Sequence, residues 1–237
     1  LPGDQNNLIN TVLDINPNTI ILLNTGSPIS MPWLPKAKAV LQCWYPGQEF
    51  GNALVEILTG DVSPSGKLPT TFPMNIKDTP AFNSYPGENL QMNYEEKLLV
   101  GYKWYERKNI GTLFPFGHGL SYTKFEYSDL KIAKINDTDF ICRYIVKNTG
   151  SISGSEISQC YVGNEEADKM EPIKKLQGFC KTHLEPGEHK EIEITLDERS
   201  FSNWSVSKNA WVVQNSSHKI YIGASSEDIR LKSEVNL

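Results

Sequence analysis

The spacing of apolar residues changes twice along the chain, and each change predicts a different kind of structure. Over roughly the first 75 residues, helical stripes alternate with short unbroken apolar runs. Leu8, Ile9, Val12 and Leu13 form one stripe, with Asp4 placed as its N-cap and Asn16-Pro17-Asn18 as its stop. Thr19 to Leu23 is a continuous β-rich run, as in a parallel strand covered on both faces. Residues 37–43 predict a second strand, and Lys67 to Phe72 a third. Between them Phe50, Ala53, Leu54, Ile57 and Leu58 recur at helical spacing, with Gly60 as the C-cap. Helix, strand, strand, helix, strand with short loops implies an α/β domain, an open and mostly parallel sheet covered by helices.

Periodicity then fades. Residues 76–120 are rich in Pro, Gly, Asn and aromatics. Phe82, Tyr85, Tyr94, Tyr102, Trp104, Tyr105, Phe114 and Phe116 argue against free disorder, so the segment reads as a connection packed on the surface. From Tyr122 onward a period of two takes over. Phe140, Cys142, Tyr144 and Val146 alternate with other residues and run into Asn148-Thr149-Gly150. Ile157, Gln159 and Tyr161 suggest the next strand, and Ile192, Ile194 and Leu196 follow a turn at 184–188. Residues 211–213 and 219–223 supply two more. About seven short strands predict a β-sandwich of immunoglobulin or fibronectin type III style. The expected division is 1–75, 76–120 and 121–237, with α/β followed by all-β.

Charge and composition narrow the partners. The net charge of −5 argues against nucleic acid, which requires a basic surface. No apolar stretch reaches the ~20 residues of a membrane-spanning helix. Cys43, Cys142, Cys160 and Cys180 form no CxxC pair, so they carry no zinc or thioredoxin-type spacing, and their even number leaves disulfides open. Asp61 and Asp78 lack calcium-loop spacing. Neither a metal nor a cofactor is expected. Sequons at Asn136, Asn203 and Asn215 fall in polar stretches and point to the secretory pathway: an extracellular location or a lysosome- or vacuole-type compartment. The chain opens Leu1-Pro2-Gly3-Asp4 with neither Met nor a leader pattern, and is expected to be a piece of something longer.

Several long motifs stand in a fixed order. They are WYPGQEFGNA at 44–53, LTGD at 58–61, PSGKLPTTFP at 64–73, YEEKLLVGY at 94–102 and FPFGHGLSYT at 114–123. PIKKLQGFCKTHLEPGE at 172–188 and YIGASSEDIRL at 221–231 follow. Together they resemble the C-terminal part of glycoside hydrolase family 3, β-glucosidase-like, over essentially the whole chain. The resemblance implies a partial α/β sandwich domain, its opening strands missing, followed by a fibronectin type III-like domain. Two positions depart from the family pattern: Lys97 stands where it has Gly, and Lys103 where it has Arg. Lys cannot reproduce an Arg fork, and a Gly position raises the question of a positive φ.

The resemblance also implies an absence. Retaining hydrolysis of a β-glycoside needs two carboxylates about 5–5.5 Å apart. By resemblance, the nucleophile Asp belongs to an N-terminal barrel and the acid/base Glu to a segment shortly before Leu1, so no catalytic residue is expected in this chain. The expected function is that of the C-terminal portion of an exo-β-glucosidase acting on β-glucosides or oligosaccharides, partnered by the barrel of the same protein. Two alternatives stand beside it. One is a non-catalytic carbohydrate-binding or interaction module, which a row of exposed aromatics on the sandwich would favour. The other is part of a β-xylosidase or N-acetylglucosaminidase.

Trp44, Tyr45, Gln48 and Glu49 are the candidates for the edge of a substrate cleft, at a strand-to-helix turn where α/β sheets bind ligands. Core packing for the aromatics and a helix-start acid for Glu49 are the plainer readings. Glu95 and Glu96 are adjacent and point apart, so they form no dyad. His118, between two glycines, has no Ser or Cys nucleophile motif and reads as a residue between domains. The stretch from Leu196 to Trp204 reads as a surface connection.

Overall fold

The computed structural model describes residues 1–164, 167–214 and 216–237. Helix α1 spans Gln5–Ile15. Asp4 starts it through its backbone, since Leu8 N donates to the Asp4 carbonyl at 3.0 Å, while its side chain makes no capping bond. Strands β1 (Ile20–Leu23) and β2 (Ala39–Gln42) pair in parallel, and helix α2 (Phe50–Thr59) ends at Gly60, whose φ is +86°. Leu13, Ile21, Leu23, Met31, Trp33 and Phe72 form the core of this body. Trp33 is fully buried, and its Nε1 donates to Asn6 Oδ1 at 3.0 Å.

Two expectations for this region are corrected. First, β1 is not covered on both faces: Ile21 and Leu23 are buried, but Ile20 is 52% and Leu22 42% exposed. Leu8 and Ile15 of α1 and Val55 and Leu58 of α2 are exposed as well. Apolarity in a sequence reports what a face can bury, whereas cover has to come from another element, and none of the described residues supplies it here. Second, residues 67–71 do not add a third parallel strand. Only Phe72–Pro73 (β3) pairs, antiparallel to β4 (Thr112–Phe114). Pro64, Pro69 and Pro73 have no N–H to give a ladder. Leu68 instead exchanges backbone bonds with the following motif: its N donates to the His118 carbonyl, and Gly117 N donates to its carbonyl, both at 2.8 Å.

The segment between the bodies carries a helix that the pattern did not predict, α3 (Tyr102–Lys108), with Tyr102 and Tyr105 buried. Just before it, Lys97 has φ +50°. This is the position where the family pattern has Gly, and the backbone conformation explains the preference. A left-handed residue with a Cβ costs about 1–2 kcal/mol, and Gly returns part of that as lost chain entropy. Lys97→Gly is therefore expected to stabilise the chain by about 0.5–1 kcal/mol, read as a rise in thermal midpoint. An unchanged or lower midpoint would mean that the Lys side chain contributes more than its backbone costs.

The all-β body is built from β5 (Phe125–Lys134), β6 (Phe140–Asn148), β7 (Gly154–Gly163), β8 (Lys174–Leu184), β9 (His189–Leu196), β12 (Ser217–Gly223) and β13 (Ile229–Asn236). Sheet β5-β6-β9 faces sheet β13-β12-β7-β8, a three-on-four sandwich of fibronectin type III order. Inward residues of both sheets meet in one core: Cys142, Tyr144 and Val146 from β6, Cys160 and Val162 from β7, Ile220 and Ile222 from β12. All four cysteines are free thiols. The strand expected at 211–213 forms, but outside the sandwich. It is β11 (Ala210–Val213), paired with β10 (Ser202–Ser205) in a separate hairpin that sets Trp204 opposite Trp211.

Candidate functional site

Loops leave the carboxyl ends of β1 and β2 side by side, the place where open α/β sheets bind ligands. Gln42 ties them together, its Nε2 donating to the carbonyl and the hydroxyl of Thr25, both at 3.1 Å. Trp44 takes a positive φ of 55°. This turns its half-buried ring inward, edge-on to Phe72 at 6.1 Å between centroids. Tyr45 goes the other way and is 80% exposed. Its ring lies so close over Gly26 that a Cβ there would sit 2.4 Å from it. Gln48 and Glu49 are exposed. Glu49 precedes α2, where its carbonyl accepts from Ala53 N at 3.1 Å and its carboxylate accepts from Asn52 Nδ2 at 2.7 Å. An acid at that position stabilises the start of a helix. The four candidates thus divide: Trp44 belongs to the core edge, while Tyr45, Gln48 and Glu49 face solvent.

The other acids singled out from the sequence also separate. Glu95 is exposed, and Glu96 is 9% exposed. Glu96 Oε2 has no hydrogen-bond partner among the described residues. Glu96 holds its own turn through its carbonyl, which accepts from Leu99 N at 2.8 Å.

Four residues that sequence reasoning passed over carry the junction between the two bodies. Lys67, from the PSGKLP motif, reaches across to Glu156 on β7, Nζ to Oε1 at 3.2 Å, with side chains only 11% and 6% exposed. The same ammonium donates to the Gly119 carbonyl at 3.3 Å, and Tyr127 donates its hydroxyl to Glu156 Oε1 at 2.8 Å. Burial, and then the charge of Glu156, pushes the Tyr127 hydroxyl far above its usual range, so it serves as a donor only. Gln159 Nε2 donates to the Gly117 carbonyl at 3.1 Å and to the Ala224 carbonyl at 2.8 Å. Its Oε1 accepts from the Tyr161 hydroxyl at 2.6 Å. The backbone of Ser226 donates to the Phe116 carbonyl at 2.9 Å.

Helix α3 is docked beside this seam. Tyr102 stacks on Phe116 with centroids 4.9 Å apart, and its hydroxyl accepts from Leu176 N at 2.8 Å. Glu106 forms a buried ion pair with Lys174. Burial pushes the Glu106 carboxyl up, and Lys174 opposes that shift. His118 stacks on Phe114 at 5.1 Å. Burial, and then Lys67, lowers its pKa, which keeps the imidazole neutral near neutral pH. The PSGKLP and FPFGHG motifs therefore act here as mortar between domains. Their signal in the sequence was motif likeness, not charge pattern.

The sequons differ in availability. Asn136 is exposed in the β5–β6 turn, its Oδ1 accepting from the backbone N of Thr138 at 2.9 Å and of Asp139 at 2.8 Å. Asn203 is half-buried and its amide is engaged at both ends: Nδ2 donates to Glu171 Oε1, and Oδ1 accepts from Lys175 Nζ, each at 2.9 Å. Asn215 lies outside the described residues.

With this geometry in place, likeness to known proteins is informative. The sequence model of the glycosyl hydrolase family 3 C-terminal domain matches residues 1–122, and that of the fibronectin type III-like domain matches residues 156–226. The chain is 44% identical to thermostable beta-glucosidase B of Acetivibrio thermocellus, with 100% of the chain matching 32% of that protein. It is 41% identical to a beta-glucosidase of Bacteroides ovatus, with 97% of the chain matching 32% of that protein. Among solved structures, DesR, a beta-glucosidase from Streptomyces venezuelae in complex with D-glucose, superposes with a TM-score of 0.96 at 40% identity, over 100% of this chain and 31% of that one. The chain thus spans about a third of the length of these relatives. By the match over more than half its residues, the chain belongs to glycosyl hydrolase family 3, as its C-terminal domain joined to a fibronectin type III-like module.

Proposed function

We propose that these residues form the C-terminal third of a retaining exo-β-glucosidase, with both catalytic carboxylates supplied from outside the chain. One observation carries this reading. The whole chain matches beta-glucosidases end to end, yet covers only 32% of the first relative. Exposed apolar side chains on α1, β1 and α2 support it, because Leu8, Ile15, Ile20, Leu22, Val55 and Leu58 are positions that a packed neighbour would cover. The proposed neighbour is the N-terminal barrel of the same protein. In that assembly, Tyr45, Gln48 and Glu49 stand at the rim of the substrate cleft, and Trp44 holds the rim to the core. The substrate is a terminal β-glucosyl unit. Retention requires one carboxylate to attack the anomeric carbon while the other protonates the departing oxygen, then returns as base to activate water. Of the acids singled out from the sequence, Glu49 and Glu95 are exposed and Glu96 is enclosed, and none is assigned to this pair. A secretory-pathway location, with any glycan on the exposed Asn136 rather than on the engaged Asn203, completes the proposal.

The chain purified alone is expected to release no detectable aryl alcohol from an aryl β-glucoside. Mixed with a separately produced N-terminal portion that carries both the barrel and the segment leading up to Leu1, it is expected to restore turnover. Robust hydrolysis by the isolated chain would overturn the placement of the two acids.

A further inference from the structure

We propose that the fibronectin type III-like body carries its own binding site for a neutral saccharide, in the cleft between the β5–β6 turn and the β10–β11 hairpin. The cleft has a volume of about 470 Å³, within the ~300–1,000 Å³ typical of small-ligand sites. It is separate from the seam and from the loops after β1 and β2. Three features decide its chemistry.

The first is an aromatic wall, Trp211. Trp204 and Trp211 lie opposite each other on the hairpin, 5.6 Å between centroids, and are 48% and 43% exposed. Trp211 lines the cleft, with Trp204 edge-on to it from outside the lining, and the part of Trp211 left in water is apolar surface on which the C–H groups of a pyranose can pack. The second is a set of unused donors. The Arg199 guanidinium carbon lies over the Trp211 ring, 3.1 Å from its centroid. A guanidinium presents five N–H donors in a fixed plane, and among the described residues those of Arg199 donate no hydrogen bond. The third is the charge of the walls. Asp139, Asp197 and Glu198 line the cleft with Arg199 as the one cation among its lining residues, so its formal charge is negative. That repels phosphate, sulfate and uronate ligands. Among the described residues, no group of acids, cysteines or histidines could hold a metal ion. A ligand that is neutral, flat-faced and rich in hydroxyls satisfies all three.

The carboxylates are positioned and not free to wander. Asp139 Oδ1 accepts from Glu198 N at 2.9 Å, and Asp197 Oδ1 accepts from Ser200 N at 3.0 Å. These bonds fix the turn while leaving the side chain of Glu198 exposed as an acceptor for sugar hydroxyls. Asn136 lines the same cleft, so a glycan attached there would compete with a free saccharide.

The test uses the whole chain produced in a bacterial host, so that Asn136 is unmodified, with cellotetraose titrated to millimolar concentration and binding followed by NMR. Saturable binding is expected. Arg199→Ala and Trp211→Ala should each weaken it about tenfold or more, while Tyr45→Ala leaves it unchanged. Arg199 is exposed, and its described side-chain contact is the indole, so its removal keeps the result interpretable even where loss of Trp211 disturbs the hairpin. Tetragalacturonate, of similar length but anionic, should bind more weakly than cellotetraose. No saturable binding, binding that survives Arg199→Ala, binding lost with Tyr45→Ala, or tighter binding of the uronate would each overturn the proposal. None of these outcomes depends on hydrolytic activity, so failure here leaves the glucosidase reading intact.

Discussion

Lys67→Met is expected to lower the thermal midpoint of the chain by about 6–20 °C. The substitution keeps the aliphatic stem and removes the ammonium, leaving Glu156 buried with one neutral partner, Tyr127. An uncompensated buried charge costs about 3–5 kcal/mol, and a domain of this size loses about 2–4 °C per kcal/mol. The loss is larger than for the exposed pairs of the molecule. Lys36–Asp14, at 2.6 Å but 50% and 62% exposed, belongs to the class worth about 0–1 kcal/mol. Adding Glu156→Gln to Lys67→Met should recover much of the loss, because the stranded charge disappears with its partner. A single mutant that melts within about 2 °C of the parent, less than 1 kcal/mol on that scale, would show that water reaches Glu156 and screens it.

Gly117→Ala is expected to cost a similar amount for an unrelated reason. Gly117 has φ +80°, and a Cβ there would lie 2.1 Å from the Gln159 side-chain oxygen and 2.7 Å from its nitrogen. The backbone conformation alone costs a residue with a Cβ about 1–2 kcal/mol. The clash then displaces an amide that is 3% exposed and serves the carbonyls of Gly117 and Ala224. Each buried acceptor left unpaired costs about 1–3 kcal/mol. A total of about 3–8 kcal/mol follows if both acceptors are left unpaired, read by denaturant or thermal unfolding. Gly60→Ala is the control. Gly60 has φ +86°, but a Cβ added to it would have nothing within 4 Å, so only the backbone cost applies. Equal losses at the two glycines would show that Gln159 moves aside freely and that the amide does not hold the seam.

The sequence disclosed some parts of this fold and hid others for definable reasons. Strands β6 and β9 were legible because one face of each is buried and the other wet, and β6 alternates strictly over nine residues. Strand β5 was not, because Asp129 sits at φ +57° and the pairing register shifts between Ser128 and Lys131. An added residue reverses the phase of every side chain beyond it. Strands β8 and β13, the two ends of their sheet, were not named from the sequence, because their lysines interrupt the apolar alternation; lysine on an edge is a device against unwanted pairing. Helix α3, at seven residues, is too short to show a period. The run at 67–72 looked like a strand because its apolar residues were counted and the missing N–H of Pro69, and of Pro73 just beyond it, was not.

The candidate site was legible only as a location. Position after a parallel strand pointed to residues 44–49, but whether each ring turns in or out depends on a single φ at Trp44, which no pattern reveals. Lys67 and Glu156 lie 89 residues apart, and the sequence of neither says that they meet. The hairpin of Trp204 and Trp211 was read in two halves, one as surface connection and one as sandwich strand. The exposed aromatics that would have favoured carbohydrate binding were therefore not recognised as neighbours.

That hairpin occupies the link between β9 and β12, where the chain crosses from the three-stranded sheet to the four-stranded sheet. Closing a loop becomes dearer only with the logarithm of its length, about 0.6 kcal/mol for each doubling. The sandwich on either side is held by ladders that do not involve it. Natural insertions or grafted recognition loops can therefore accumulate at this crossing with little penalty to the ladders, which makes it a ready place for lineages to diversify what the domain touches.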